Sequence, residues 1–461
     1  MKKWFLFCLA IVGVIVFAAC SGNAEEVGGI RDDGTLWGEL SIMSFMNDPM
    51  ALGVYFTEYH PDVEINFIMT GMEGGAYQTA LQQILSAGAN VPDIVMLDAG
   101  FVRQFVESPF LMDISHLLPA ANALEIYQFT LDAGMEAGQL RAISHQAAPG
   151  VMYYRRSLAQ RYFGTDDPAV IQNYFRDMDA MIESAQRIRE ISNGETFTIS
   201  SHIELSNLFF ANRSTPWIVN NRLMHDDPVL AQYLDVARVF RDSGLEAEIG
   251  TWSGEWHAGM NDTMVDAHGN PRQIFSYFLP TWGIFILMPN AGDTDGDWAA
   301  IPGPLPYHWG GAWFAIPVDA PNPEVAKAFL EFVFTEDVMT KWATGYFSNE
   351  RLRQIDPSLA EVFGLAAGDF LSSARVVRNT SAAMVGTDTY YFLGGQNPHD
   401  VFALAAPNVS LENLQASDFI MNAAFTEAVT QYLEDNLTRE QAMQSFIDSA
   451  LIGLPAGITP N

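Results

Sequence analysis

Along the first hundred residues, segments whose apolar residues have the spacing of a β-strand alternate with segments whose apolar residues have the spacing of an α-helix. Residues 40–46 form an apolar run of strand length, and an Asn-Asp-Pro sequence then starts a helix that ends near Tyr59. Apolar side chains at every second position over residues 63–69 predict a second strand. A helical spacing over residues 77–85 leads to a short buried strand at residues 94–97. Strands and helices are therefore predicted to alternate.

This alternation within about 60 residues favours a mainly parallel sheet flanked by helices. Ligands of such sheets bind beyond the carboxyl ends of the strands, where loops and helix N-termini converge. The positions at those ends are residues 44–47, the loop at residues 71–75, and Asp98. We therefore expect a binding site at this edge.

Three later segments have the spacing of amphipathic helices, at residues 178–188, 322–333 and 438–447. The second begins with Asn-Pro-Glu and the third with a capping-box sequence. The sequence contains no internal repeat, and no Pro- or Ser-rich linker lies between these segments. At 461 residues, two lobes are expected, and without a linker they should be joined by several crossing segments.

The net charge of the chain argues against some classes of binding partner. With 23 basic and 55 acidic residues the chain carries a formal charge of −32. Such a surface repels phosphate backbones and anionic lipids, so binding to nucleic acid or directly to a membrane surface is disfavoured. The two cysteines, Cys8 and Cys20, precede the predicted folded body, so neither a disulfide framework nor a cysteine-based zinc site is expected.

The N-terminus has the pattern of an export signal. Lys2 and Lys3 precede an apolar run that ends at Ala19 and is shorter than a typical membrane span. The sequence Ala-Ala-Cys resembles a bacterial lipobox, which predicts a signal peptide at residues 1–19, lipidation of Cys20, and a flexible tether at residues 20–35. The alternative is an ordinary signal followed by a free cysteine.

Tryptophan is concentrated in one part of the chain. Six of the ten tryptophans lie between residues 252 and 313, among Gly and Pro. An indole ring offers a flat face to the C–H face of a sugar and an N–H group to a hydroxyl. A tryptophan-rich core is the alternative for any single ring, but the cluster as a whole favours a binding surface.

Catalytic and metal-binding patterns are weak. Glu204, Glu255, Asp262 and Asp98 are carboxylates that a glycosidase would need, but no spacing singles out a pair among so many acids. Nucleophile-elbow, zinc-protease and P-loop motifs do not occur, and the nine histidines lack metal-ligand spacing. The acidic run at residues 293–297 does not have EF-hand spacing and is expected to be an exposed turn. We expect no cofactor and no metal.

Several segments, in order, resemble the extracellular solute-binding proteins of bacterial ABC importers, in the group that captures carbohydrates. The resemblance lies in the helix-turn-strand sequence YFTEYHPDVEI, in LSAGANVPDIV, in VMYYRRSL, and in GGAWFAIP followed by EVAKAFLEF. Together they extend over nearly 400 residues.

The resemblance implies a two-lobed α/β fold of the periplasmic-binding-protein type (type II), each lobe a mainly parallel sheet, with crossing hinge segments and one ligand in the cleft. We expect residues 36–112 and 255–305 in the N-terminal lobe, and 113–254 and 306–461 in the C-terminal lobe. The ligand-binding residues that it implies are Ser44, Asn47, Asp98, Trp282, Gly310, Gly311, Ala312 and Trp313, with Trp252 and Trp309 as additions.

The function that follows is capture of a sugar or oligosaccharide by hinge closure and its delivery, unaltered, to a membrane permease. The protein would be a monomer outside the cytoplasmic membrane, held by its lipid. Two alternatives stay open: the same scaffold binding a polyamine, peptide or glycerophosphodiester, and a surface-anchored enzyme acting on glycans.

Overall fold

The computed structural model describes residues 28–346, 353–354 and 369–461. The predicted signal, Cys20 and the first half of the predicted tether, up to residue 27, lie outside this part of the chain. The second half of the predicted tether contains the first strand, which pairs with the second. The strands are β1 (Gly28–Ile30), β2 (Leu36–Ser44), β3 (Val63–Met69), β4 (Ile94–Asp98), β5 (Met135–Glu136), β6 (Gln139–Leu140), β7 (Gly150–Arg155), β8 (Thr196–Phe197), β9 (Ile218–Val219), β10 (Arg222–Leu223), β11 (Gln273–Ile274), β12 (Ser276–Pro280), β13 (Trp298–Ile301), β14 (Ala312–Ala315) and β15 (Thr459–Pro460).

The helices of eight or more residues are α1 (Asp48–Tyr59), α2 (Ala76–Ala87), α6 (Arg156–Phe163), α8 (Met178–Ile191), α9 (His202–Ala211), α10 (Pro228–Asp242), α13 (Pro323–Val333), α14 (Glu336–Ala343), α17 (Pro398–Ala405), α18 (Asp418–Leu433) and α19 (Arg439–Gly453). The shorter ones are α3 (Val102–Val106), α4 (Leu118–Ala123), α5 (Gln128–Gly134), α7 (Pro168–Tyr174), α11 (Gly254–Met260), α12 (Ile284–Asn290), α15 (Ala374–Thr380) and α16 (Asp388–Phe392).

The local elements predicted from periodicity are confirmed. β2, β3 and β4 alternate with α1 and α2 in the expected order. Gly88 ends α2 in a left-handed conformation, with its N–H donating to the carbonyl of Ile84. Thr438 begins α19 with a complete capping box. These features depend on neighbouring residues, so the sequence pattern is sufficient to predict them.

The first sheet consists of β1, β2, β3, β4 and β14, and we call the part of the protein built on it the first lobe. β2 pairs in parallel with β3 and β4, while β1 is antiparallel to β2 and β14 is antiparallel to β4. Because β14 runs against β4, its first residue Ala312 lies beside Asp98, the last residue of β4. The carboxyl ends of β2 and β4 and the beginning of β14 therefore share one edge.

The second sheet, in the second lobe, has a different topology. β7 lies between β12 and β13 and is antiparallel to both. The prediction of a mainly parallel sheet is thus wrong for this lobe. Alternate residues of β7 enter two different hydrophobic clusters, with Val151 and Tyr153 in one and Met152 and Tyr154 in the other. Both faces of this strand are buried, as expected for a central strand.

The pairing also corrects the predicted division into lobes. Residues 255–305 contain β12 and β13, which pair with β7 in the second sheet and not with the first. Residues 306–461 contain β14, which pairs with β4, and α13, which packs against β1 and β2. Local sequence patterns do not determine which distant strand a segment joins, so the boundaries at 255 and 306 were misplaced.

Crossing segments join the lobes, as expected. Residues 144–149 lead from Ile143, which bridges to Phe314 of the first sheet, into β7, and residues 302–311 return from β13 to β14. Where these two segments pass each other, the N–H of Gly150 donates to the carbonyl of Tyr307 at 2.7 Å. A Cβ atom at position 150 would collide with the Tyr307 ring. Residues 369–373 run beside the first crossing before the chain returns to α17, which packs against β7 and β13.

Candidate functional site

A cavity of about 340 Å³ lies where the carboxyl edge of the first sheet faces the segment that follows β12. Its first wall comes from the turn after β2, the end of β4 and the beginning of β14. Its second wall comes from Trp282 and the first turn of α12, and one crossing segment contributes Gln146. The lining residues are Phe45, Met46, Asp48, Asp98, Gln146, Trp282, Phe285, Ile286, Gly310, Gly311, Ala312 and Asp369.

Asp98 is held at the end of β4 by backbone contacts. Its Oδ1 atom accepts a hydrogen bond from the N–H of Gly100 at 2.7 Å, and the N–H of Ala99 donates to the carbonyl of Gly311 at 3.2 Å. Burial raises the pKa of the Asp98 carboxyl to about 6, against backbone hydrogen bonds that lower it. The carboxylate is therefore ionised at neutral pH and has acceptor capacity left for a ligand.

The Gly-Gly pair before β14 is required by geometry. Gly310 and Gly311 have φ angles of 76° and 96°, which favour glycine. A Cβ atom on Gly310 would lie 2.9 Å from Nε1 of Trp282, and one on Gly311 would lie 3.5 Å from the ring of Trp313. The pair thus lets backbone pass between two indole rings.

Three of the predicted tryptophans form one cluster. The Trp282 indole N–H donates to the carbonyl of Trp309 at 3.1 Å, and the two rings meet edge to face at 5.5 Å. The ring of Trp252 is nearly parallel to that of Trp282, with centroids 6.4 Å apart, and Trp252 is 49% exposed. Of these three residues only Trp282 lines the cavity, while Trp252 and Trp309 pack against its ring.

Other predicted ligand residues are placed away from the lining. The hydroxyl of Ser44 is buried and used within its own turn, where it donates to the Met46 carbonyl at 2.7 Å and accepts from the Met46 N–H. Asn47 is the N-cap residue of α1. The Trp313 ring is 1% exposed, and its N–H donates to the carbonyl of Thr130. We expect these three residues to shape the site from behind.

The sequence reasoning missed three polar residues that line the cavity, Asp48, Gln146 and Asp369. The amide Nε2 of Gln146 donates to Oδ2 of Asp48 at 2.8 Å and also to Asp369. Burial and the charge of Asp48 raise the pKa of Asp369 to about 8. Asp48 carried a helix-start signal alone, and neither Gln146 nor Asp369 belongs to a local pattern, so only tertiary structure brings them together.

The carboxylates considered for hydrolysis are dispersed. Glu204 is buried in the second lobe, where it accepts from the N–H of Phe278 at 2.9 Å, and Glu255 is exposed. Asp262 is paired with Arg155 through two contacts of 2.9 and 3.0 Å. Of the four candidates only Asp98 lines the cavity.

The acidic run at residues 293–297 lies in an exposed turn. Asp293 and Asp295 are exposed, whereas Asp297 accepts hydrogen bonds from Arg155 and Ser157. Asp297 is thus occupied by side chains of the chain itself.

Comparison with known proteins agrees with this architecture. Residues 37–340 match the family described as bacterial extracellular solute-binding protein, and the chain belongs to that family. No curated protein sequence matches the chain. Among its described residues, no helix has the length and apolar character needed to cross a membrane.

Solved structures of similar fold cover most of the chain. A protein described as extracellular solute-binding protein family 1 is 17% identical with a TM-score of 0.73, covering 89% of this chain and 99% of that one. The galacto-N-biose-/lacto-N-biose I-binding protein of the ABC transporter from Bifidobacterium longum, in complex with lacto-N-biose, is 14% identical with a TM-score of 0.66 (92% and 99%). Maltose-bound MalE3 of T. maritima is 16% identical with a TM-score of 0.60 (90% and 100%). The predicted two-lobed α/β fold is confirmed.

Proposed function

We propose that this protein captures a sugar or short oligosaccharide in the cavity between its lobes and delivers it unaltered to an ABC permease. The observation that carries the proposal is the combination of one indole ring, Trp282, with several acidic side chains and an amide in a cavity with no Arg or Lys among the lining residues that the structure describes. The sugar complexes of the structural neighbours support the same ligand class.

The lining suits a polyhydroxylated ring. Trp282, Phe285 and Phe45 supply apolar faces for C–H groups, which gain from leaving water. Asp98 supplies a carboxylate that accepts hydrogen bonds from adjacent hydroxyls, and Gln146 supplies an amide that both donates and accepts. Hydrogen bonds to a charged acceptor contribute more than neutral ones, so Asp98 is expected to orient the ring.

Capture would proceed by closure of the lobes. Asp98 and the Gly310–Gly311 turn belong to the first sheet, whereas Trp282 follows β12 of the second. A solute that contacts both sets is bound more tightly by the closed arrangement, and its binding energy shifts the population towards it. The closed form would then be recognised by the permease. This step needs no covalent chemistry, which supports a binding protein over an enzyme.

Anchoring through lipid on Cys20 is part of the proposal. It rests on the lipobox-like sequence and on the family, whose members are extracellular. The acidic chain would be repelled by anionic headgroups, so an acyl anchor and a tether would keep the lobes near the permease without adsorption to the membrane.

A second candidate ligand is a polyamine. Three acidic side chains, Asp48, Asp98 and Asp369, line the cavity, and an indole face can hold a cation. The pKa of Asp369 is raised to about 8, so this group would ionise fully at neutral pH only when a cation binds beside it. A glycerophosphodiester is disfavoured, because its phosphate would meet these acidic groups, and the described part of the lining offers it no guanidinium or ammonium partner.

The first prediction concerns ligand class, measured as the shift in melting temperature over a panel of mono- and oligosaccharides, spermidine and a short peptide. At a ligand concentration 100-fold above Kd, linkage stabilises the native state by about 2.7 kcal/mol. We expect at least one sugar to raise the melting temperature and spermidine not to. A shift produced by spermidine alone would assign the cavity to polyamines, and chromogenic glycosides added to the same samples should remain uncleaved.

The second prediction concerns Trp282. Trp282→Ala removes the ring that faces the solute, so sugar affinity should fall roughly 30-fold, equivalent to about 2 kcal/mol, as measured by isothermal titration calorimetry. Trp37→Ala, in β2 and outside the cavity lining, is the matched control and should leave the affinity unchanged. Equal affinity of Trp282→Ala and the unchanged protein would remove this ring from the site.

The third prediction concerns pH. Because the Asp98 pKa is about 6, lowering the pH through 6 protonates the carboxylate and weakens its acceptor role. Affinity for a neutral sugar should therefore fall about fourfold between pH 7 and pH 5, since a charged acceptor contributes about 1 kcal/mol more than a neutral one and most, but not all, of the titration lies in this interval. In Asp98→Asn this fall should disappear, whereas Asp293→Asn in the exposed turn should retain it. Tighter binding at pH 5 would contradict the role given to Asp98.

A further inference from the structure

Three side chains from distant parts of the sequence meet in and behind one wall of the cavity. Asp48 begins α1, His145 lies in the first crossing segment, and Asp369 lies in the segment that runs beside it. One ligand atom from each lies within 4.8 Å of the others, and all three residues are buried. The histidine spacing along the chain did not indicate this cluster, because its members converge only in the folded protein.

His145 is the most informative member. The residue is 2% exposed, and neither ring nitrogen has a hydrogen-bond partner among the described residues. Its Nε2 atom lies 3.5 Å from Oδ2 of Asp48, so the ring edge faces the carboxylates. The flanks of the ring pack against Phe314 and Trp342. A buried imidazole that lacks a hydrogen-bond partner has lost its contacts with water and gained none in exchange, which is unfavourable. A ligand bound to this ring in the functional protein would explain the arrangement.

The negative charges of Asp48 and Asp369 are not balanced by positively charged groups among the described residues. Asp48 and Asp369 share the amide of Gln146, and Asp369 also accepts a hydrogen bond from the N–H of Phe370 at 2.9 Å, so these donors are neutral. Among the described residues neither has an ion pair with Lys or Arg, although such pairs are frequent elsewhere in the chain. Two buried carboxylates side by side repel each other unless a proton or a cation lies between them.

The backbone holds this arrangement in place. The N–H of Ser372 donates to the carbonyl of His145 at 2.9 Å, and the N–H of Ala147 donates to the carbonyl of Phe370 at 2.9 Å. The hydroxyl of Ser144 donates to the carbonyl of Ala312 at 2.6 Å, tying the same segment to the first sheet. The three ligands are thus carried by paired segments and a helix start, which is the rigid support a metal site needs.

We propose that Asp48, His145 and Asp369 bind one divalent first-row metal ion, with zinc favoured. One imidazole and two carboxylates are a donor set that zinc and its neighbours accept, while the imidazole disfavours calcium and magnesium. In a tetrahedral site with bonds of about 2.0–2.2 Å, the ligand atoms lie about 3.3–3.6 Å apart. The ligand atoms here lie within 4.8 Å of one another, so a pair at that limit would move closer by about 1.3 Å when the ion binds. The two carboxylates would balance the charge of the ion.

The ion would contact the solute cavity. Asp48 and Asp369 line that cavity and His145 does not, so the histidine lies behind the carboxylates and the remaining coordination position faces the solute. This inference does not depend on the solute being a sugar, because metal binding is measured without any solute.

The test is zinc titration by calorimetry, with metal content measured by elemental analysis, on chelator-treated protein carrying no polyhistidine tag. We expect one zinc per chain and weaker binding of Mn²⁺ and Ca²⁺. Asp369→Asn and His145→Gln should each weaken zinc binding about 100-fold or more, since loss of a direct ligand costs at least as much as loss of an outer-shell partner. Asp293→Asn, which removes an exposed acid, is the matched control and should bind as the unchanged protein does.

Folding and metal binding are separated by the melting temperature. Without metal, Asp369→Asn should melt no lower than the unchanged protein, because it removes one of two adjacent buried charges. With zinc, only the unchanged protein and Asp293→Asn should gain stability. The proposal is overturned if the unchanged protein takes up no stoichiometric zinc, which would mean that the carboxylates share a proton. It is equally overturned if all variants bind several zinc ions alike, which would mean surface binding to an acidic protein.

Discussion

The close passage of the two crossing segments is the constraint on which the cavity depends. Gly150 begins β7 and Tyr307 precedes β14. Their backbones are joined by a 2.7 Å hydrogen bond, and the Tyr307 ring occupies the space that a Cβ atom on residue 150 would need. Beyond this contact, one crossing segment continues into β7 of the second sheet and the other continues into β14 of the first sheet. The end of β4 and the end of β12 are therefore directed towards the same space, and two sheets of different topology can present one site.

The same constraint explains how much the sequence could predict. The helices and strands of the first hundred residues, the Gly88 stop and the Thr438 capping box are local, and the pattern predicted them. Asp98, Trp282 and Gly310–Ala312 were suggested by a family resemblance and do line the cavity. The lobe boundaries failed because β12, β13 and β14 find their partners at long range. Trp313 does not line the cavity, because its ring packs against Gly311 and is buried.

Asp48, Gln146 and Asp369 show most clearly what sequence patterns cannot reveal. Each lies in a segment with an ordinary structural role, a helix start or a crossing. Pairing between residues 144–147 and 370–372 brings Gln146 and Asp369 together, and the Gln146 amide also contacts Asp48. The electrostatics follow from this proximity. A cation held there would leave Asp98 as the main uncompensated carboxylate of the lining, which favours a neutral polyhydroxylated solute over a polyamine.

The central claim is that a solute is enclosed between two lobes that move towards each other. Small-angle X-ray scattering of the protein with and without its saturating solute measures this directly, provided that a melting-temperature shift in the same samples demonstrates binding. The account predicts a smaller radius of gyration in the bound sample, because the closed form alone makes both sets of contacts. An unchanged radius with binding demonstrated would contradict it.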